Sequence, residues 1–345
     1  MTDVRRPAGA LTAPAAPFLF RAHPGPGLEV AFTSVDAGNL AFHVSGVVGV
    51  SGTPAAGRTS SKGGDGAGDD ANGAGDPRER VKASRRGIEA ALGIPPGRTE
   101  YLTQVHSARV VPAAGRGWGE SPAAEEADAL VSPTGRDPLA IMVADCLPVV
   151  FASRRSVEAT AAVGRDGRAR VSGPGAGGTG PLTGPTAVAH AGRRGLLDGI
   201  LQNTVERMRR EGSGHEPGDI QAWIGPAICG RCYEVPEQMR RDGTAQIPAT
   251  HSTTTWGAPA LDLPAGAQAV LESLGVTVHR SPVCTREDSR LFSHRRDPGR
   301  GRFIGLVWRR EEGQGTSPRE GSEGSEGNEG NEGSQGSQGS QGSEG

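Results

Sequence analysis

Apolar residues fall in short runs separated by glycine, proline and polar turns. The densest run is Leu139–Phe151, Leu-Ala-Ile-Met-Val-Ala-Asp-Cys-Leu-Pro-Val-Val-Phe, with an Asp-Cys pair set into its middle. Continuous apolar runs bounded by turn residues predict buried strands. A carboxylate inside such a run needs partners or an opening of the strand, because an unpaired buried charge is costly. Pro148 cannot donate to a ladder, so a bend or break is expected there, presenting Cys146 at a strand end. Further strands are expected at Leu28–Phe32, Leu40–Val44, Tyr101–Val111, Ala187–His190, Ile220–Ile224, Val276–His279 and Phe303–Trp308, with Asp128–Val131 leading towards the central one. Helical spacing predicts helices over Val81–Leu92, stopped by Gly93, over Leu196–Arg210, with arginines in its last turn, and over Asp262–Leu274, capped by Asp262 and stopped by Gly275.

Composition shortens the foldable chain. Glycine is 55 of 345 residues and aromatics only 4%. The glycine gathers where apolar side chains are scarce, as in Gly63–Asp70 and Gly173–Gly180. Such stretches cannot offset their ordering entropy by burial. The expected organisation is a mobile leader over 1–16 and one catalytic domain over 17–312. Disordered insertions interrupt it at about 45–74 and 154–185, and a low-complexity tail occupies 313–345. The domain then has roughly 220 to 250 structured residues, within the single-domain range. A formal net charge of -2 suggests neither a nucleic-acid nor an anionic-membrane partner. The leader lacks a signal-peptide core, no stretch is long and apolar enough to span a bilayer, and four cysteines do not make a disulfide scaffold. A cytoplasmic protein with reduced thiols is expected.

Three apolar runs end in His106, Cys146 and His190. Alone, a histidine or cysteine in such a place is an ordinary core residue. The repeated context points instead to one shared site. Two imidazoles and a thiolate suit zinc, and three protein ligands leave a fourth position for water, the mark of a catalytic site. Copper would bind the same donors, so zinc is the expectation and copper the alternative. Asp145 is read either as a proton shuttle or as a group that only orients the neighbouring ligand. Cys229-Gly-Arg-Cys232 has the spacing of a zinc knuckle or a redox pair. A ribbon would need a second pair, and Cys284 has no cysteine partner at that spacing.

Taken together, several stretches resemble one family: Gln104-Val-His106, Ala144-Asp-Cys-Leu-Pro-Val149, Ala189-His-Ala-Gly192 with Arg194-Gly195, Trp223–Ile228, Tyr233-Glu-Val235, Leu261-Asp-Leu263, Cys284-Thr285, and Phe292–Asp297 with Gly301-Arg302. The ordered set resembles the YfiH or laccase-domain proteins, now regarded as purine nucleoside phosphorylases. The resemblance implies an α+β fold, a single compact domain with packed β-layers flanked by helices, and zinc at His106, Cys146 and His190. It also implies phosphorolysis of adenosine, inosine or methylthioadenosine, a glycosyl transfer to phosphate, with adenosine deaminase activity alongside. Nucleoside and phosphate are then the partners, and a homodimer is the assembly left open.

Cys146, Asp145, His106 and His190 become the catalytic set. Arg85, Gln104, Arg193, Arg194 and Arg302 become the substrate and phosphate contacts, arginine forks being suited to phosphate. Two departures stand out. Arg193 occupies the place of a usual tryptophan, and Asp76 reads as an acid displaced by the first insertion. Three competing readings use the same residues. A metal-free cysteine hydrolase would take Cys146 as nucleophile and a histidine as base. A copper phenol oxidoreductase would want clustered histidines, and none of the eight form a His-x-His pair. A scaffold protein would carry a structural zinc with four protein ligands.

Overall fold

A computed structural model describes residues 17–42, 76–120, 124–154, 162–163, 169–170, 182–211 and 219–310. The expected leader, the first insertion, the tail and most of the second insertion lie outside these residues. The described chain resumes at Leu182, which is already buried in the core.

In chain order the elements are β1 (Phe18–Gly25), β2 (Leu28–Thr33), α1 (Pro77–Leu92), β3 (Val110–Pro112), α2 (Gly117–Glu120), β4 (Ala129–Ser132), β5 (Leu139–Val143) and β6 (Leu147–Ser153). There follow β7 (Ala162–Val163), β8 (Ala169–Arg170), β9 (Thr186–Ala191), α3 (Arg193–Leu197), α4 (Ile200–Glu211), β10 (Ile220–Ile224) and α5 (Glu237–Gln246). The last are β11 (His251–Thr253), β12 (Pro259–Leu261), α6 (Leu263–Ser273), β13 (Thr277–Arg280) and β14 (Phe303–Arg309). Two sheets dominate. The smaller runs β1-β2-β14-β5 and is antiparallel throughout. The larger runs β13-β10-β6-β9-β4-β3, antiparallel at its centre and parallel at both edge pairs.

Side-chain alternation explains the layers. Along β14, Ile304, Leu306 and Trp308 meet Ile88 and Leu92 of α1, while Val307 turns the other way, to Val30, Ile141, Val150 and Val188 between the sheets. Along β6, Val150 and Ala152 join that inter-sheet core. Leu147, Val149 and Phe151 face Leu201, Val205 and Met208 of α4 and Leu271 of α6. The fold is therefore α+β, with helices outside two packed sheets. It also explains why Leu139–Phe151 is continuously apolar, since strands buried on both faces lose the polar alternation.

Several expectations need correction. The strand break falls at Ala144–Cys146, where the chain leaves one sheet and enters the other. Pro148 sits inside β6, opposite His190. Of the expected Tyr101–Val111 strand only Val110 and Val111 are strand, in β3, because the amides of residues 105–107 are bonded to a side chain. Leu40 to Phe42 is not strand, and the rest of Leu40–Val44 lies outside the described residues. The helix expected over Leu196–Arg210 is two pieces, parted at Gly199, whose φ of 91° an L residue rarely adopts. Asp76 is the N-cap of α1, accepting from the Arg78 amide. The polar helix α5 had no apolar pattern to announce it; Gly243 is its buried residue.

Phe32 is 2% exposed, and a Cβ placed on Gly225 or Gly305 would come within 2.2 or 2.8 Å of its ring. The two glycines thus clear its place between the sheets. Phe32→Ala should cost about 3 to 5 kcal/mol, read as a lower denaturation midpoint at unchanged slope. A loss under about 1 kcal/mol would mean that the inter-sheet core does not rest on this ring.

Candidate metal centre

The centre is built around Asp128, which is fully buried immediately before β4. Its carboxylate accepts the amides of Val105 (3.3 Å), His106 (3.0 Å) and Ser107 (2.6 Å), and the Ser107 hydroxyl at 2.7 Å. Those bonds wrap residues 105–107 around one side chain and hold His106 at φ 60°, the left-handed region where few non-glycine residues sit. The same carboxylate lies 2.8 Å from His190 Nδ1. Because an ionised carboxylate only accepts, Nδ1 carries a proton and Nε2 of His190 is the nitrogen available to a metal. A carboxylate behind a ligating histidine is the usual way a metal site fixes ring orientation.

Cys146 arrives from the opposite side, on the turn between the two sheets. Asp145 beside it has φ 87°, a conformation that costs about 1 to 3 kcal/mol for such a residue and persists only where neighbours enforce it. They do: Oδ1 accepts the Thr285 hydroxyl at 2.6 Å, Oδ2 accepts the Arg295 amide at 2.6 Å, and the Asp145 carbonyl accepts the Ile228 amide at 3.0 Å. Cys146 Sγ then lies 3.8 Å from His106 Nε2, and the two imidazole centroids are 4.7 Å apart. Ligand atoms of His106, Cys146 and His190 all fall within 4.8 Å of one another. Gly192 makes this approach feasible, since a Cβ there would lie 2.8 Å from His106 Cδ2 and 3.1 Å from Cys146 Sγ.

Electrostatics favour the ligand forms. Burial opposes a thiolate at Cys146, but His190 and His106 outweigh it and bring the thiol down to about 6. Burial likewise opposes charge on His190, yet Cys146 and Asp128 push it up to about 9. At Asp128, burial is overcome by His190 and by both donors of Ser107, holding the carboxyl at about 2. In the metal-free chain the pair is thiolate and imidazolium between these limits; a cation arriving at Nε2 displaces the second proton.

A family model described as multi-copper polyphenol oxidoreductase laccase matches residues 61–171 and 181–310. A purine nucleoside phosphorylase of Streptomyces coelicolor is 40% identical over 235 residues, covering 68% of this chain and 84% of that relative. The purine nucleoside phosphorylase YfiH of Escherichia coli is 32% identical over 238 residues, covering 68% of this chain and 83% of the relative. The chain belongs to the YfiH, or laccase-domain, family. In three dimensions it is similar to YlmD from Geobacillus stearothermophilus, with a TM-score of 0.64 at 25% identity over 88% of this chain and all of that one. The gap in the family match falls on the Gly173–Gly180 stretch.

Within this YfiH-family fold the remaining expected site residues separate into two groups. Arg302 is half-buried; burial lowers its pKa against the opposing charges of Cys146 and Asp145, and its guanidinium donates to the Gly301 carbonyl at 2.9 Å. Arg193 is near Tyr233, whose hydroxyl is pushed up by burial and by Cys146 against the opposing charges of Arg193 and Arg295. These two arginines border the centre. Arg85 instead lies under the 39–42 segment, donating to the Leu40 carbonyl at 2.9 and 3.1 Å between the faces of Tyr101 and Phe42. Gln104 spends its amide on both backbone groups of Met142, and Arg194 is exposed and paired with Asp198. The sequence assigned no role to Asp128 or Ser107, and Gly192, Thr285 and Tyr233 stood there only as parts of the family motifs. An acid directly before an apolar Ala-Leu-Val run was the available signal for Asp128, of the same kind that drew attention to Asp145.

Two outcomes follow for the centre. Asp128→Asn keeps the shape but loses the charge, and should weaken metal retention about 10- to 100-fold in chelator competition; unchanged affinity would show that Asp128 does not orient His190. In metal-free protein, alkylation of Cys146 followed by peptide mapping should rise with a midpoint near pH 6, because a depressed pKa leaves the reactive thiolate present above it. A midpoint at the ordinary thiol value, about 8.5, would remove the imidazolium–thiolate pair.

Proposed function

We propose that the chain is a zinc-dependent purine nucleoside phosphorylase acting on adenosine, inosine or methylthioadenosine, with adenosine deaminase activity at the same site. The observation that carries this reading is the convergence of His106, Cys146 and His190, with Asp128 fixing the tautomer, in a chain 40% identical to a relative named a purine nucleoside phosphorylase. The donors fit zinc: two neutral imidazoles and a thiolate, with no fourth protein ligand atom in the group among the described residues. Zinc held there would supply a Lewis acid with one position open to water or substrate.

The chain's own groups account for the rest. In phosphorolysis a phosphate oxygen bonds to the anomeric carbon as the bond from that carbon to the base nitrogen breaks, and positive charge develops on the sugar. Arg302 and Arg193 would hold phosphate beside that carbon, the guanidinium fork matching two of its oxygens. Tyr233 gives the base an aromatic face, supported from behind by the Arg295 guanidinium 5.2 Å from its ring. Asp145 acts by position, since both its oxygens are taken, and it sets the corner from which Cys146 projects. Arg85 and Gln104 act through the segments they brace, Arg85 through Leu40, whose amide bonds the Arg302 carbonyl. Deamination would use the same pocket, adding water at C6 of adenosine and releasing ammonia. The imidazolium–thiolate pair is also what a metal-free cysteine hydrolase would use, so metal dependence is part of the test.

Zinc-loaded protein incubated with adenosine should yield adenine and ribose 1-phosphate only when phosphate is present, with inosine as the deamination product. Cys146→Ala should abolish both while the circular dichroism spectrum is kept. Arg302→Ala should raise the KM for phosphate about tenfold or more, the scale of a lost charge-assisted hydrogen bond. No turnover of any purine nucleoside by the zinc-loaded protein, or full turnover after complete zinc removal, would reject the reading.

A further inference from the structure

A second group of ligand atoms lies outside the centre. Cys229, Cys232, Cys284 and Glu287 offer three sulfurs and a carboxylate oxygen within 4.8 Å of one another. They come from two turns of the same build. In the first, the amides of Cys232 and Tyr233 both close on the Cys229 carbonyl, at 2.9 and 3.0 Å; in the second, those of Glu287 and Asp288 close on the Cys284 carbonyl, at 3.2 and 3.0 Å. Each turn therefore presents its first and fourth residues on one side. The sequences match as well: Cys229-Gly-Arg-Cys232 and Cys284-Thr-Arg-Glu287. The partner that Cys284 lacked as a cysteine is present at the right spacing as a glutamate.

The turns face each other. Ala227 and Cys284 form a parallel bridge, the Cys229 amide points at Cys284 Sγ at 3.4 Å, and Cys232 Sγ lies 3.3 Å from Glu287 Oε1. An amide aimed at a sulfur suits a thiolate better than a thiol, since charge strengthens the acceptor. All four cysteines are free. Zinc takes sulfur at about 2.3 Å and carboxylate oxygen at about 2.0 to 2.2 Å in a tetrahedron, so its ligand atoms lie about 3.5 to 3.8 Å apart. The observed spacing reaches that with sub-ångström movement.

We infer that Cys229, Cys232, Cys284 and Glu287 form a second, closed zinc site whose role is structural. Four protein ligands leave no open position for substrate, unlike the His-Cys-His centre. Four anionic ligands around a dication carry a net charge of minus two, which the third residues of the two turns, Arg231 and Arg286, lie close enough in sequence to offset. The site ties the loop after β10 to the loop before β14. The second of these supplies the Thr285 hydroxyl and Arg295 amide that hold Asp145, and the first supplies Tyr233.

Metal analysis of the whole chain, equilibrated with zinc and desalted, tests this. Wild type should retain two zinc ions per chain, and Cys146→Ala, which disables only the first centre, should retain one. X-ray absorption on zinc-loaded Cys146→Ala should show three sulfurs and one oxygen, and cobalt should give the near-ultraviolet thiolate charge-transfer band of a tetrahedral site. Glu287→Gln in that background should lose zinc at least tenfold more readily to a chelator, and Glu287→Cys, which completes four thiolates, should hold it. Because Glu287 is exposed, these two variants test the ligand without emptying a core position. Folded Cys146→Ala that retains no zinc, with its three thiols titrating freely or with Cys229 and Cys232 oxidised to a disulfide, would overturn the inference. That outcome leaves the phosphorylase reading standing, since it concerns only the other cysteines.

Discussion

One buried carboxylate carries the centre. Asp128 is the point where three backbone amides, a hydroxyl and an imidazole meet. A lone carboxylate could not be buried there, and a lone left-handed histidine would relax. Each solves the other's problem: the loop over residues 105–107 donates what the charge needs, and the charge fixes the loop in a shape no strand would take. With the loop fixed, His106 is aimed at Cys146. With Nδ1 of His190 held, the other nitrogen is aimed there too. Removing the carboxylate would free both imidazoles at once, which makes Asp128 a positioning residue for two ligands rather than one.

The third ligand depends on the architecture at a larger scale. The chain crosses between two sheets within Ala144–Cys146, so Cys146 stands at the seam where β5 ends and β6 begins. A corner this tight forces Asp145 to positive φ, and the loops around Ile228, Thr285 and Arg295 meet its polar groups there. The apolar bulk of the two sheets does no chemistry. It fixes the seam against which His106 and His190 are positioned, and Gly192 leaves the gap through which His106 approaches the sulfur.

Much of this was legible in the chain. The three residues of the candidate centre stood at the ends of apolar runs, and most strands and helices followed from periodicity and caps, including Gly93 and Asp262 as the ends of α1 and α6. What escaped had physical causes. The stretch Tyr101–Val111 reads as a strand, but the amides of residues 105–107 go to a carboxylate remote in sequence, and pattern carries no record of that. Arg85 was expected as a phosphate or substrate contact; its guanidinium lies over the rings of Tyr101 and Phe42 and is bonded to the Leu40 carbonyl, packing that no single-residue rule foretells. The long helix failed at Gly199 because one positive φ outweighs an otherwise continuous apolar stripe. Cys284 lacked a cysteine partner only because the fourth ligand of its group is an acid.

The two groups of ligands are joined by chain continuity. Cys232 belongs to the sulfur-rich group, and the next residue, Tyr233, faces Cys146 and Arg193. Likewise Cys284 precedes Thr285, which bonds Asp145, itself the neighbour of Cys146. A clamp on Cys232 and Cys284 therefore acts one covalent step away from two walls of the centre. Neither wall has a regular element of its own: Tyr233 and Thr285 both lie in loops, held by hydrogen bonds to Cys229, Leu261, Ala227, Asp145 and Arg296. Loops of that kind open at low free-energy cost unless something cross-links them. A closed tetrahedral site at their crossing would give the catalytic walls the rigidity that sheet pairing gives Cys146, which is why a protein with one reactive metal centre would keep a second that touches no substrate.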